Sequence, residues 1–441
     1  MNHPRIAVIG AGLVGVGTAL ELARQGAQVT LFEAQRGLAC GGSFQPGGLL
    51  SAAITAQWVA QGIARPGFSR SRQLPRAGWR RTFSDWQWLR HHWKWQSHAS
   101  LATRQRAMAE LARLSQMHLS QLGQMLDADL ETTQGVHWIN DRADGAASPG
   151  LVTQLAEWGM TAQVRDTDAL AAAEPGLDTQ ARPLQATWLP GDLCGNPRLT
   201  AQLMREAAER LGASFHFGAQ LKWLERKAEG WQLHMTAQDD MGKTSTAFAP
   251  TQPAWDAHGD QQTFDHVVLC TQRFLPEWLK HPLAQQFRQL RAYSISAPIR
   301  DYDRAPRHGL FCERRQMSVA RLGHRIRAAG AMRLEPRDQA HDPASDQRVF
   351  DQLYASLDAL LPGVAQTKQA QQWTGVVSLL PDGLPAIGQL ETGLWVNMGH
   401  GMSGWSTGAG SARLLADKLL GRLPADAASA FDPLRSFQPG R

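Results

Sequence analysis

Three stretches near the N-terminus decide the fold: Arg5-Ile6-Ala7-Val8-Ile9, Gly10-Ala11-Gly12-Leu13-Val14-Gly15, and Gln28-Val29-Thr30-Leu31-Phe32-Glu33. The first is a short apolar run that stops at a glycine, which reads as a buried strand. Residues 13–25 follow with helix-forming composition and place Ala19, Leu20 and Ala23 on adjacent turns. The third stretch is β-branched and apolar and ends in an acid. Strand, turn, helix and strand in this order open a parallel α/β layer. The middle stretch has the spacing G-x-G-x-x-G. Its first glycine permits a tight turn, its second lets the backbone approach a pyrophosphate, and its third lets the helix pack close to the strand. The helix start then offers free N–H groups and a positive dipole end to phosphates. Glu33 stands about twenty residues on, where a carboxylate accepts from ribose hydroxyls. A glycine-rich turn alone is weak evidence, but all these features in the right order are specific. An acid at Glu33 also disfavours a 2′-phosphate, which argues against NADP. These residues leave FAD and NAD both open.

Working outward, residues 108–126 read as an amphipathic helix with Leu111, Leu114, Leu122 and Met125 on one face. Asn196-Pro197 opens another helix running to Leu211-Gly212, and Ser214–Phe217 is the strand after it. The polar residues 236–264 read as a surface loop, followed by a buried strand at Asp265–Cys270. Near the end, Leu394–Asn397 is a strand and residues 406–420 a closing helix.

At 441 residues the chain exceeds what one core usually organises, so two domains are expected. No run of eighteen apolar residues marks a membrane span, and the first residues lack the pattern of an export signal. Cys40, Cys194, Cys270 and Cys312 show no metal-ligand spacing, so no metal site and reduced cytoplasmic thiols are the expectation. The net charge of +6 is partly local: Arg65, Arg70, Arg72, Arg76, Arg80, Arg81, Arg90 and Lys94 crowd one stretch. Five of the sixteen tryptophans, Trp79, Trp86, Trp88, Trp93 and Trp95, share it.

The C-terminal third carries Trp373-Thr374-Gly375, then Pro381-Asp382-Gly383-Leu384-Pro385-Ala386-Ile387-Gly388, then Asn397-Met398-Gly399-His400-Gly401-Met402-Ser403-Gly404-Trp405-Ser406. With Gly48-Leu49-Leu50-Ser51, Leu290–Ser294 and Arg321–Gly330, these strings resemble the D-amino-acid dehydrogenase branch of the flavoproteins that include D-amino-acid oxidase and glycine oxidase. The resemblance covers most of the chain. It implies an α/β fold: a Rossmann-like FAD-binding domain plus an α+β substrate domain with a mostly antiparallel sheet. The FAD domain would be discontinuous, from residues 1–75, 185–280 and 365–441, with the substrate domain at 76–184 and 281–364.

FAD would be held without a covalent bond by Gly10, Gly12, Leu13, Val14, Gly15, Glu33, Ser43, Gly48 and Leu49, and by Gly399, His400, Gly401, Met402, Gly404, Trp405 and Ser406. The C-terminal glycines let backbone approach a flat ring. Ser406 and Thr407 suit the cap of the final helix, whose start would face the ring edge where negative charge gathers on reduction. The plainer reading of His400 is a structural turn histidine, in a loop that acts mainly through its backbone.

In the related enzymes a neutral amine loses a hydride from its α-carbon to flavin N5, and the imine is hydrolysed. The substrate carboxylate is held by an arginine in a G-L-R-P motif. Here the string reads Gly375-Val376-Val377-Ser378, so Val377 stands in that arginine's place. Either another cation takes over or the substrate has no carboxylate there. Arg321 is the leading surrogate, because Met317, Val319 and Arg321 share one face of an alternating run. Tyr293 is a second candidate for orienting substrate, with a buried core tyrosine as its plain alternative, and Ser378 is a third. Ser43-Phe44-Gln45-Pro46 departs from the family at its last place.

The mixture of tryptophan and cations in residues 58–98 reads as a lid over the site, with or without contact to a membrane interface; single-stranded nucleic acid is the weakest reading. The relatives are peripheral membrane enzymes passing electrons to the respiratory chain. A quinone acceptor and a cytoplasmic protein on the inner membrane face are therefore implied. The function expected is FAD-dependent dehydrogenation of an amine, a D-amino acid or a related compound. The alternatives are a peroxide-producing oxidase acting on an amine without a carboxylate, and a non-catalytic FAD-binding protein.

Overall fold

The opening residues form the layer expected of them in the computed structural model, which describes residues 3–44, 46–63, 82–140, 149–179, 184–237, 263–271, 279–335, 344–424 and 426–437. Strand β1 (Arg5–Ile9) pairs in parallel with β2 (Gln28–Glu33) on one side and β11 (His266–Leu269) on the other. β7 (Ser214–Phe217) continues the parallel set beyond β2, and β18 (Leu394–Met398) continues it beyond β11. β17 (Ala386–Glu391) closes the edge antiparallel to β18. These strands read as unbroken apolar runs because both faces are covered. Helices α1 (Leu13–Arg24), α7 (Pro197–Arg210) and α10 (Gly404–Leu419) bury one face. An antiparallel ribbon of β8 (Ala219–Lys227), β9 (Gly230–Ala237) and β10 (Thr263–Phe264) buries the other through Trp231, Leu233 and Phe264. Asn196 caps α7 as its sequence promises, accepting from the N–H groups of Arg198 and Leu199. Most of the expected loop at 236–264 lies outside the described residues.

The second layer is a nine-stranded sheet in the order β16 (Gln371–Leu379), β12 (Arg288–Pro298), β15 (Arg325–Leu334), β14 (Met317–Leu322), β13 (Gly309–Cys312), β4 (Thr133–Asn140), β6 (Gln185–Cys194) and β3 (Leu49–Leu50), with β5 (Gln163–Arg165) beside β6. Every pair is antiparallel except β13 with β4. The mostly antiparallel second sheet is thus present. The strands β3, β6 and β16 belong to it by hydrogen bonding, although the sequence boundaries put residues 1–75, 185–280 and 365–441 in the FAD domain. Both sheets therefore draw on those segments.

Helix α9 (Ala344–Leu360) covers one face of this sheet, packing Leu353 and Leu357 against Tyr293, Val319 and Ala328. On the other face, α2 (Ala52–Gln61) sets Ala53 and Ile54 against Val136, Trp138 and Phe311. Helices α3 (Phe83–Gln96) and α4 (Leu101–Leu126) follow, and α5 (Pro149–Glu157), α6 (Thr167–Ala173) and α8 (Leu283–Gln286) are short connections. At the crossing of α4 and α10 the Ser115 hydroxyl accepts from Gly410 N–H at 2.7 Å. No described helix is long and apolar enough to cross a membrane.

Candidate active site

The C-terminal ends of β1 and β11 and the start of α1 frame a slot lined by Gly12, Leu13, Val14, Gly42, Ser43 and Thr271. Helix α1 begins at Gly12 without a side-chain cap and without an acid in its first turn. Its N-terminus is therefore left positive, as a pyrophosphate requires. Within the protein, Leu13 N–H donates to the Ser43 hydroxyl at 2.9 Å. Glu33 sits at the end of β2 and fastens the turn: Ala11 N–H donates to one carboxylate oxygen at 2.6 Å and Gln35 N–H to the other at 2.8 Å. Glu33→Ala should therefore weaken FAD retention by roughly one to two orders of magnitude, from loss of charge-assisted hydrogen bonds worth ~1.5–3 kcal/mol. Flavin content after exhaustive dialysis measures this, and full occupancy would remove Glu33 from the cradle.

The opposite wall of the slot is the loop after β18, with Met398, Gly399, His400, Gly401, Met402, Gly404 and Trp405. Gly399 has φ +81°, and a Cβ there would meet the Phe287 ring at 2.9 Å, so the turn demands glycine. Trp405 donates its indole N–H to Gly48 O at 3.0 Å, and the Ser406 hydroxyl donates to Leu49 O at 3.2 Å. Four candidates far apart in sequence are thereby brought into one clamp. The expected cap at Ser406 and Thr407 is not formed. Helix α10 already begins at Gly404, so Ser406 lies in its first turn and turns toward Leu49, while Thr407 faces His400.

His400 is held between Asn397 Oδ1 at 2.9 Å and Thr407 Oγ1 at 2.8 Å. Asn397 spends its amide nitrogen on Thr18 and Ser411, so its oxygen must accept, and His400 Nε2 carries the proton. Burial pushes the His400 pKa down to about 3, which keeps the ring neutral. The ring fixes the loop. Behind the slot, His92 takes Ile63 N–H on Nε2 at 3.0 Å and faces Pro381 O with Nδ1 at 2.8 Å. Its pKa is lowered to about 4, chiefly by burial.

Both histidines are neutral in the fold and gain a proton on unfolding below their ordinary 6.5. Stability is therefore lost as pH falls from 6.5 toward 4, by about 1.4 kcal/mol per pH unit for each ring. Urea unfolding between pH 7.5 and 5 should show a shallower slope for His92→Gln than for the parent. Equal slopes would refute the assignment.

Val377 and Ser378 end strand β16 beside this slot. Among the described residues, no cation lines the slot beside Val377. Val377 packs in an apolar cluster with Ile63, Trp88, Leu89, Leu290 and Leu334, with Met402 at its edge. The other two substrate candidates lie elsewhere. On β14, Ser318 points to a neighbouring cavity while Met317 and Val319 sink into the core beneath α9. Arg321 has the parity of that second pair, so it emerges exposed at the strand end, donating to Gly323 O and lying over Tyr302. The alternation was read correctly; the face was not the one toward the cavity. Tyr293 is fully buried under α9, donates to Asp346 Oδ1 at 2.6 Å and meets Phe350 edge-on. It is the core tyrosine of the plain alternative.

The neighbouring cavity shares Pro46, Met402 and Trp405 with the slot and continues along Leu49, Ser51, Ile54, Thr55 and Trp58 to Phe311, Gln316, Ser318 and Met332. Most of this lining was missed, because it comes from helix and strand positions that look like ordinary core. One residue behind it is also new: Ser51 Oγ donates to the buried carboxylate of Asp192 at 2.5 Å. Gln45 and the arginines at 65, 70, 72, 76, 80 and 81, with Trp79, lie outside the described residues. Three of the four tryptophans of α3 are spent inward: Trp88 donates to Gln286 O, Trp93 to Ile63 O and Trp95 to Phe437 O, while the half-buried Trp86 lies against Trp93.

The family described as FAD dependent oxidoreductase matches residues 5–418. A D-amino acid dehydrogenase of Azorhizobium caulinodans is 29% identical, over 97% of this chain and 99% of that relative. Another from Cereibacter sphaeroides is 30% identical, over 99% of this chain and 96% of the relative. Among solved structures, glycine oxidase from Bacillus cereus superposes with a TM-score of 0.67 at 17% identity, covering 97% of each chain. L-proline dehydrogenase from P. horikoshii gives 0.66 at 16% identity, covering 98% of each. At such identities the structures speak for the fold.

Proposed function

The chain belongs to the FAD dependent oxidoreductase family, and from that premise we propose that it dehydrogenates the carbon–nitrogen bond of an amine, the class in which the relatives' D-amino acids fall. The observation that carries this reading is the slot between the α1 turn and the Gly399–Trp405 loop, which shares Pro46, Met402 and Trp405 with a second, mostly apolar cavity beside it. When bound in the slot, FAD supplies a hydride acceptor for the carbon beside nitrogen, and water then hydrolyses the imine. The protein's own part is positioning and exclusion of water. The Gly10–Gly15 turn and Glu33 hold the dinucleotide end, the Trp405–Gly48 and Ser406–Leu49 bonds hold the loop, and His400 stiffens it. Non-covalent attachment is supported by the nucleophiles of the slot. The Cys270 thiol is pushed up to about 12 by burial, and His400 has both nitrogens engaged.

For the electron acceptor we extend the reading to a quinone, in keeping with the relatives' name of dehydrogenase. For the described part of residues 58–98, the three inward-turned tryptophans of α3 favour the lid reading over a membrane face. The test is anaerobic bleaching of the purified protein by a panel of D-amino acids, L-amino acids and simple amines. It is followed by reoxidation with a soluble quinone or with dioxygen. Bleaching by some amine is expected. A flavin that dithionite bleaches but no amine does would overturn the proposal, and rapid peroxide formation would reassign the acceptor.

A further inference from the structure

The lining of the two joined cavities contains no lysine, arginine, aspartate or glutamate among the described residues, and its one histidine, His400, is neutral. An anion entering from the second cavity meets Val377, Met402, Trp58, Phe311 and Met332. The arginines nearest Val377 on the adjoining strand are already committed. Val377 pairs with Leu290, and on either side Arg288 is bound to Asp85 at 3.0 Å and Arg291 to Glu335 at 3.0 and 3.2 Å. A carboxylate buried there would find no countercharge among the described lining residues, and an uncompensated charge is costly in a low-dielectric site. Behind the wall, Asp192 is buried and bonded to Ser51, Gln116 and the Ala52 N–H, and it supplies no countercharge.

Among the described residues of the lining, one side-chain polar atom is fully buried without a hydrogen-bond partner, and it is an acceptor. Gln316 is 4% exposed and sits at φ +47°, a strained backbone for a residue other than glycine. Its Nε2 donates to Glu313 O at 2.6 Å. A carbonyl can only accept, so the amide orientation is fixed and Oε1 is turned away from Glu313. That oxygen is buried without a hydrogen-bond partner. An unsatisfied buried acceptor in a cavity wall is the complement of an N–H donor.

We propose that the substrate is an amine with an apolar or aromatic substituent and no carboxylate on the reacting carbon, and that Gln316 Oε1 is a positioning acceptor for its N–H. This rests on the amine-dehydrogenation reading and narrows it. An apolar substituent gains by filling the Trp58, Phe311 and Met332 wall, while a neutral amine satisfies the orphaned oxygen and needs no ionic partner.

The experiment uses FAD-loaded protein and matched pairs differing only in the carboxylate: 2-phenylethylamine with D- and L-phenylalanine, and isopentylamine with D- and L-leucine. Anaerobic flavin reduction should be at least about tenfold faster, at equal concentration, for the amine of each pair. Equilibrium binding supplies a second readout without turnover: phenylacetamide should perturb the flavin spectrum at concentrations at least about tenfold lower than phenylacetate. Gln316→Asn tolerates the positive φ but withdraws the oxygen, and should raise the half-saturating amine concentration about tenfold with FAD content unchanged. Faster reduction by the amino acid of each pair, with phenylacetate binding more tightly, overturns the inference and leaves amine dehydrogenation standing. No reduction by any of these, nor by the wider amine panel, overturns both.

Discussion

Gly15→Ala is expected to give protein with little or no bound FAD. A Cβ at this position would lie 1.9 Å from Gly10 O and 3.3 Å from the Cys270 side chain. The first clash is with backbone, so no rotamer change relieves it. Helix α1 would have to retreat from the turn by about 1 Å or more to restore an ordinary contact. It cannot do so freely, because Val16, Leu20 and Ala23 are locked against Met204, Ala208 and Leu415 in the core beneath α7 and α10. Either the turn opens, so that the N–H groups of α1 no longer converge on a phosphate, or the helix shifts and strains that core. Overpacking of this kind costs ~1–3 kcal/mol in stability, and the misplaced helix end loses the charge-assisted bonds besides. We expect FAD affinity to fall by about a hundredfold or more, read from flavin absorbance per protein after gel filtration. Gly421→Ala, beyond the end of α10 at φ +70° with nothing within 4 Å of its Cβ, is the control: strained locally but far from the slot, it should retain FAD. A yellow Gly15→Ala protein with parental affinity would show that this glycine is not part of the grip.

How far the sequence could be read depended on how local the signal was. The parallel layer was legible because β1, the glycine turn, α1, β2 and Glu33 are consecutive and each has a physical reason to be there. The C-terminal loop was legible through the family resemblance that its glycine-rich string carries. Yet its main contacts are long-range: nothing in the local string says that Trp405 would bond Gly48 or Ser406 would bond Leu49. Arg321 shows where periodicity stops. Alternation established that it shares a face with Met317 and Val319, but only the covering of that face by α9 reveals which side holds the cavity. Gln316 was invisible for another reason. Its importance lies in a positive φ and an unpaired oxygen, and glutamine has no sequence signature for either. The role of Asp382 in the P-D-G string also emerged only in three dimensions. Its carboxylate receives Arg435 in two bonds, 2.7 and 3.2 Å, from near the end of the described chain.

The second large effect is expected at Asp85, which holds α3 to the second sheet. Its carboxylate meets Arg288 at 3.0 Å with the two side chains 1% and 3% exposed. Burying an ion pair is weak evidence of net stabilisation, because both groups gave up water to form it. Removing one partner is different, since the survivor stays buried and uncompensated. Asp85→Ala should therefore cost ~3–5 kcal/mol. The lower end applies here, because Arg288 still donates to the carbonyls of Ser84, Gln285 and Phe287. Replacing both partners with apolar residues, as in Asp85→Leu with Arg288→Met, should recover most of the loss. Urea unfolding of the two single variants and the double variant separates these cases. The consequence reaches the site, because Trp88 on the same helix packs with Val377 and Leu290. If α3 loosens, the apolar wall at Val377 opens to water. The Asp85→Ala protein should then show faster amide hydrogen exchange across residues 83–96 and slower flavin reduction by its amine. The double variant should restore both. Parental stability in Asp85→Ala would mean the pair contributes nothing to the fold, and restored stability without restored reduction would separate the helix from the site.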